Sequence, residues 1–150
     1  MLEDIPPIAG TYLLVFQSDK QVMVNVGRRG SLELVPGYYF YVGSAFGSGG
    51  LRARIRHHQG VSKKPHWHLD YIRPHLLLRE LWYSTDNIKC EHAWSDRLYY
   101  TIKLQIPMPG LGSSDCKCES HFFYSEVYPD VFGIRGSLDN NNLEHIVVTN

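Results

Sequence analysis

Net charge is the first thing this chain lacks. Fifteen lysines and arginines balance fifteen aspartates and glutamates over 150 residues, and the eight histidines are neutral at pH 7. Without an excess of one sign, no global field draws the protein onto nucleic acid or an anionic membrane, so any such binding has to come from a local patch. No apolar run approaches the length of a membrane span. The opening Met1-Leu2-Glu3-Asp4 is acidic and no apolar segment follows it, which argues against a signal peptide. Cysteine is scarce as well: Cys90, Cys116 and Cys118 are too few, and odd in number, for a disulfide framework. No motif of a serine or cysteine nucleophile stands out. These absences describe a soluble, cytoplasmic protein with no membrane partner, its cysteines either reduced thiols or part of a metal site.

What is present is ordinary globular composition, 43% hydrophobic and 20% charged. There is no repeat, no low-complexity tract and no linker, so residues 1–150 read as one domain. Residues 10–17 and 21–26 are apolar, β-branched or aromatic runs separated by Ser18-Asp19-Lys20, which predicts a hairpin. Pro36-Gly37 turns the chain into an aromatic strand, Tyr38–Gly43. Glycines 47, 49 and 50 break that strand ahead of a helix over 50–59. A short helix over 66–73 is expected to end at Pro74, followed by a strand over 75–83. Ser84-Thr85-Asp86-Asn87 offers caps for a helix over 87–99. One further strand is expected over 121–125, and a polar, peripheral tail from Ser137. Together these elements predict an α+β domain, a small, mostly antiparallel mixed sheet flanked by helices.

Several charges fall where apolar residues are expected. On the helix over 50–59, Leu51 and Ile55 mark the buried stripe, with Arg54 and His58 at its edge, four residues apart. These two either snorkel along the helix or face a cleft beside the aromatic strand. On the helix over 87–99, Ile88, Trp94 and Leu98 share a face, and Glu91 sits within it. A carboxylate there needs a cation or hydrogen-bond donors, supplied either by a structural ion pair with an arginine or by a metal ion at a cleft floor. Between Leu34 and Leu69 there is no acid, while Arg52, Arg54, Arg56, Lys63, Lys64 and four histidines alternate with aromatics. That is the local footprint of a nucleic-acid surface.

Gly10-Thr11-Tyr12 opening one strand, Tyr41-Val42-Gly43 ending another, Arg54 with His58 on the next helix and Glu91 on a later one form an ordered set. In that order and placement the set resembles the GIY-YIG nucleases over residues 10–99. The runs GYYFYVGSAFGSGGLRARIRHH, KPHWHLDYI and GLGSSDCKCESHFF resemble a prokaryotic subfamily of them, some members of which are fused to endonuclease III. The resemblance implies a DNA endonuclease that hydrolyses phosphodiester bonds with one Mg²⁺ or Mn²⁺, in DNA repair or processing. It implies Tyr12 and Tyr41 near the attacking water, one of them as general base or orienting group. It implies Arg54 on the scissile phosphate, with Arg52 or Arg56 as alternatives in register, His58 in proton transfer and Glu91 as the metal ligand. DNA is the implied partner, with a repair protein delivering it. A tyrosine base ordinarily ionises near pH 10 and needs neighbouring positive charge to do so at neutral pH.

Two motifs lie outside that set. His66-Trp67-His68-Leu69-Asp70 reads either as a capped, hydrogen-bonded corner or as support for the cleft through His66, His68 and Asp70. Cys116, Cys118 and His121, joined by Cys90, offer four ligands of the type that hold structural Zn²⁺, although packing cysteines explain the pattern equally well. The rival functions are therefore a catalytically idle nucleic-acid-binding module and a zinc-stabilised interaction domain.

Overall fold

Thr11–Ser18 is buried along its whole length but for Gln17. A strand apolar on both faces can only be central, covered above and below. The computed structural model, which describes residues 4–112, 118–138 and 142–148, places it so. Strand β1 (Thr11–Ser18) lies at the centre of a five-stranded sheet ordered β6-β4-β1-β5-β7, where β4 is Gly37–Ser44, β5 Leu77–Ser84, β6 Phe122–Ser125 and β7 Leu143–Val147. Every pairing in it is antiparallel. Strands β2 (Val22–Asn25) and β3 (Ser31–Leu34) form a separate two-stranded ribbon. The architecture is α+β.

Alternation along β1 divides the core into two layers. Tyr12, Leu14 and Phe16 join Tyr39, Tyr41, Leu51, Ile55, Leu69 and Ile72 on one face. This face is covered by α1 (Gly50–Gln59), α2 (His68–Ile72) and the β2–β3 ribbon. Leu13 and Val15 join Phe40, Val42, Trp82, Trp94, Leu98 and Ile134 on the other, under α3 (Glu91–Tyr100) and α4 (Val131–Leu138).

Three expectations are corrected here. Residues 10–17 and 21–26 do not pair: β1 takes β4 and β5 as neighbours, and β2 takes β3. The central strand needs two long apolar partners, whereas β2 buries only Val24 fully and suits a ribbon laid over the sheet. The short helix expected over 66–73 is α2, His68–Ile72, which ends ahead of Pro74 and gives way to a 3₁₀ turn, Arg73–His75. The helix expected from 87 begins at Glu91, because Ser84 is spent as the last residue of β5, where it pairs with Thr11. Ile88 is therefore 75% exposed and shares no face with Trp94 and Leu98, so Glu91 opens the helix rather than sitting in its buried stripe. Finally, the described residues from Ser137 on are not peripheral. Ser137 and Leu138 are buried, and β7 pairs with β5 while His145 stacks on Trp82 at 3.7 Å.

Candidate active site

The two layers meet at one end of the sheet, where β4 finishes and β1 begins. Ser44, the last residue of β4, joins them: its carbonyl accepts from Arg54 of α1 at 3.2 Å, and its hydroxyl donates to Oε1 of Glu91 of α3 at 3.0 Å. The Cys90 amide donates to the Thr11 hydroxyl at 3.1 Å, which fixes the start of α3 to the start of β1. A cleft of about 550 Å³ opens here, lined among others by Tyr41, Ser44, Phe46, Arg54, Trp67, Lys89, Glu91, His92 and His121.

Tyr12 stands directly behind the cleft, fully buried, with its hydroxyl 3.0 Å from Nε2 of His58. Its space exists because β4 carries Gly43 opposite: a Cβ on Gly43 would overlap the Tyr12 hydroxyl. Tyr41 lines the cleft, its ring centroid 6.5 Å from that of Tyr12. Burial raises the pKa of both phenols above the ordinary tyrosine value. The Arg54 charge works against that rise and does not overcome it. Both are hydroxyls at neutral pH. His58 supplies no positive charge either, because burial pulls its pKa down to about 3 despite the nearby Asp70 carboxylate.

Arg54 lies over the Trp67 ring at 4.3 Å, a cation–π contact that adds to its bond with Ser44. Of the three arginines of α1, Arg54 lines the cleft, Arg52 donates to the Ile5 carbonyl at 2.7 Å, and Arg56 is exposed. Lys63 and Lys64 are exposed and outside the cleft lining. Glu91 has a side chain 22% exposed, with Oε2 3.9 Å from Nδ1 of His121 and Oε1 3.9 Å from Nε2 of His92. Among the described residues no arginine or lysine pairs with it. The helix N-terminus also favours its charge.

The His66–Asp70 segment is a capped corner in contact with the site. Asp70 Oδ2 accepts from the His66 amide at 2.8 Å and the Trp67 amide at 3.0 Å, while Oδ1 lies 2.9 Å from His57 Nε2. Burial alone would raise the Asp70 pKa, and these three bonds outweigh it and lower it. The His66 ring does not reach Asp70 but packs edge-on against Trp67 at 4.6 Å. His68 Nδ1 accepts from the Gly112 amide at 2.9 Å, tying α2 to the loop that rims the cleft.

The four ligands offered for structural zinc fall partly outside the described residues. Cys116 lies outside the described residues, and among those described Cys90, Cys118 and His121 form no close ligand group. His121 lines the cleft, with Nδ1 2.9 Å from the Ser95 hydroxyl. Burial lowers its pKa, partly offset by Glu91. The one close group of three described ligands is His57, His58 and Asp70, with ligand atoms within 4.8 Å of one another.

Sequence reasoning missed Ser44, Phe46, Lys89 and His92 in the cleft. Ser44 follows the Tyr41-Val42-Gly43 strand end directly, so its place at the strand terminus was the available signal. His121 was singled out only as a zinc ligand; the structure places it on the cleft wall, where its position is fixed by register: Tyr41 pairs with Phe122, and the Val42 amide donates to the His121 carbonyl.

A family model described as domain of unknown function DUF123 matches residues 11–134. The chain belongs to this DUF123 family. No curated protein and no solved structure matches it. The matched span of the DUF123 chain runs from the first residue of β1 into α4, so it contains Tyr12, Tyr41, Arg54, His58, Glu91 and His121.

Proposed function

We propose that this DUF123 protein is a divalent-metal-dependent DNA endonuclease of the GIY-YIG type. One observation carries the reading: Tyr41, Arg54 and Glu91, brought from β4, α1 and α3, line a single cleft with the Tyr12–His58 pair behind it. A phosphodiester placed there meets the Arg54 guanidinium, whose planar donors suit two phosphoryl oxygens. Tyr41, protonated and facing the cleft, orients the attacking water. Lys89 and Phe46 form the far wall, with the ammonium 5.6 Å from the ring centroid.

Glu91 fits a single hard cation. Its carboxylate is accessible, is neutralised by no arginine or lysine among the described residues, and is steadied by Ser44. Mg²⁺ and Mn²⁺ sites beside phosphates commonly use one or two carboxylates and fill the remaining positions with water and substrate oxygens. When bound, the ion supplies Lewis-acid stabilisation of the charge that develops on the phosphoryl and leaving oxygens. DNA repair or processing is the proposed context, with an associated or fused repair protein delivering DNA to a chain of zero net charge.

The deciding experiment is nicking of supercoiled plasmid and of branched or damaged DNA with Mg²⁺ or Mn²⁺, comparing wild type with Glu91→Ala. Metal-dependent nicking that vanishes in the variant, with its melting curve retained, is the expected result. DNA binding without cleavage on every substrate would instead make the chain an idle binding module.

A further inference from the structure

The geometry points to Asp70 as a positioning residue for Arg54: through His58 it sets which way the buried Tyr12 hydroxyl points, so that its oxygen lies open to the Arg54 guanidinium, and through Trp67 it holds the ring beneath that guanidinium. This rests on the nuclease reading only for what Arg54 does in the cleft. The orientation itself follows from which groups can donate and which can accept.

His58 is buried, with 1% of its surface exposed. Its Nε2 lies 3.0 Å from the Tyr12 hydroxyl. Among the described residues its Nδ1 has no hydrogen-bond partner, and it sits 3.9 Å from Asp70 Oδ1. The neutral ring carries one proton, and an ionised carboxylate only accepts. A proton on Nδ1 faces the negative charge of Asp70, whereas a lone pair there would be repelled by it. The Nδ1–H tautomer is therefore the stable one, and Nε2 accepts from Tyr12. With its proton committed to His58, the Tyr12 oxygen offers only lone pairs to its other neighbour. That neighbour is Arg54, which can only donate and whose positive charge favours an oxygen turned toward it. In the opposite tautomer His58 would donate to Tyr12, and the displaced hydroxyl proton would have no acceptor on the guanidinium.

A second route starts from the same carboxylate. Asp70 Oδ2 holds the Trp67 amide at 3.0 Å, and the Trp67 ring lies 4.3 Å beneath Arg54. The Ser44 carbonyl supplies the remaining contact. The other charged or titratable groups around His58 are His57 and Arg54 on its own helix, Tyr41 on the sheet, and Arg73 after α2, which donates to the His58 carbonyl. Burial keeps the His58 ring neutral across the working pH range.

Asp70→Asn tests the proposal without removing bulk. The amides of His66 and Trp67 need an acceptor, so they hold the carboxamide oxygen and turn its NH₂ toward His57 and His58. A donor facing Nδ1 forces the proton onto Nε2. Long-range ¹H–¹⁵N NMR of the full chain reads the tautomer directly, and exchange of the Arg54 side-chain N–H reads how firmly Arg54 is held. Wild type is expected as Nδ1–H with slow Arg54 exchange, and Asp70→Asn as Nε2–H with exchange at least about tenfold faster, in line with losses seen when supporting residues are removed. Tyr12→Phe, which removes the hydroxyl itself, is expected to speed Arg54 exchange while leaving the His58 proton on Nδ1. In the nicking assay Asp70→Asn is expected to lower kcat roughly 10–100-fold with little change in KM.

An Nε2–H ring in wild type, a tautomer unmoved by Asp70→Asn, or unchanged Arg54 exchange overturns the proposal. So does one equivalent of zinc bound by wild type and lost in Asp70→Asn, which would make His57, His58 and Asp70 a metal site. If Asp70→Asn fails to fold, the wild-type tautomer and Tyr12→Phe decide. If wild type cleaves no DNA, the nuclease reading fails and the NMR results still judge the link from Asp70 to Arg54.

Discussion

At residue scale the site depends on groups that are absent as much as on those present. Gly43 leaves the room that the Tyr12 hydroxyl fills, and the hydroxyl has no other place to go, because its ring is locked in the layer with Leu14, Phe16 and Tyr39. Gly43→Ala therefore forces Tyr12 off His58 or shifts β4, at a cost of about 1–3 kcal/mol, the usual range for overpacking a core. Urea unfolding measures it, and an unchanged midpoint would show that the strand end yields freely. His58 gives a second, pH-dependent handle. Its folded pKa of about 3 is depressed from an ordinary 6.5, so below pH 6.5 the unfolded chain binds a proton that the folded chain does not. Stability is then lost as pH falls from 6.5 toward 3, and above 6.5 this group contributes no slope. Between pH 7 and pH 4.5 wild type is expected to lose about 2–3 kcal/mol more than His58→Gln, since one unpaired proton changes stability by roughly 1.4 kcal/mol for each pH step of one below 6.5. Parallel unfolding curves for the two proteins over that interval would assign the acid sensitivity elsewhere.

At the scale of elements, β7 is the piece whose weight is least evident from its polar composition. It covers β5, and Leu143 and Ile146 pack against the two core layers. Removing residues 139–150 makes β5 an edge and uncovers Trp82, so a loss of about 2 kcal/mol or more is expected from the apolar burial alone. A thermal melt of the shortened chain checks it, and an unchanged Tm would mean that β5 is held by β1 without help. Local signals revealed some elements and not others. The helix over 50–59 was legible because its glycine break, its Leu51–Ile55 stripe and its basic end agree. Strand β4 was legible from Pro36-Gly37 and its run of aromatics. The partner of β1 was not, because two apolar runs near in sequence look like a hairpin, and only the need to cover both faces sends β1 between β4 and β5. The start of α3 was misplaced for a related reason: Ser84 has the character of a cap but is held in the sheet opposite Thr11. Glu91 was thus singled out through a stripe to which Ile88 does not belong. Its place in the cleft comes from the Cys90–Thr11 and Ser44 contacts, which join segments far apart in sequence.

At the scale of the whole molecule, electrostatics set how DNA would be met under the proposed nuclease reading. Zero net charge removes long-range attraction, and the acid-free stretch from Leu34 to Leu69 does not become one continuous basic face. Arg52 is tied to Ile5, Arg54 is turned into the cleft, and Lys63 and Lys64 stand outside it. Lys89, from a different part of the chain, supplies the cleft's second basic side chain. A footprint built on Arg54, Lys89 and one further contact neutralises about three phosphates, which corresponds to a slope near −3 for log affinity against log salt. Binding measured without divalent metal, so that cleavage does not interfere, is expected to be weak at physiological salt. Lys89→Ala should weaken it similarly across sequences and reduce the slope by about 1. A slope several times steeper, unaffected by Lys89→Ala, would place the DNA across α1 and the Lys63–Lys64 loop instead, and would remove the need for a second protein to bring substrate to the cleft.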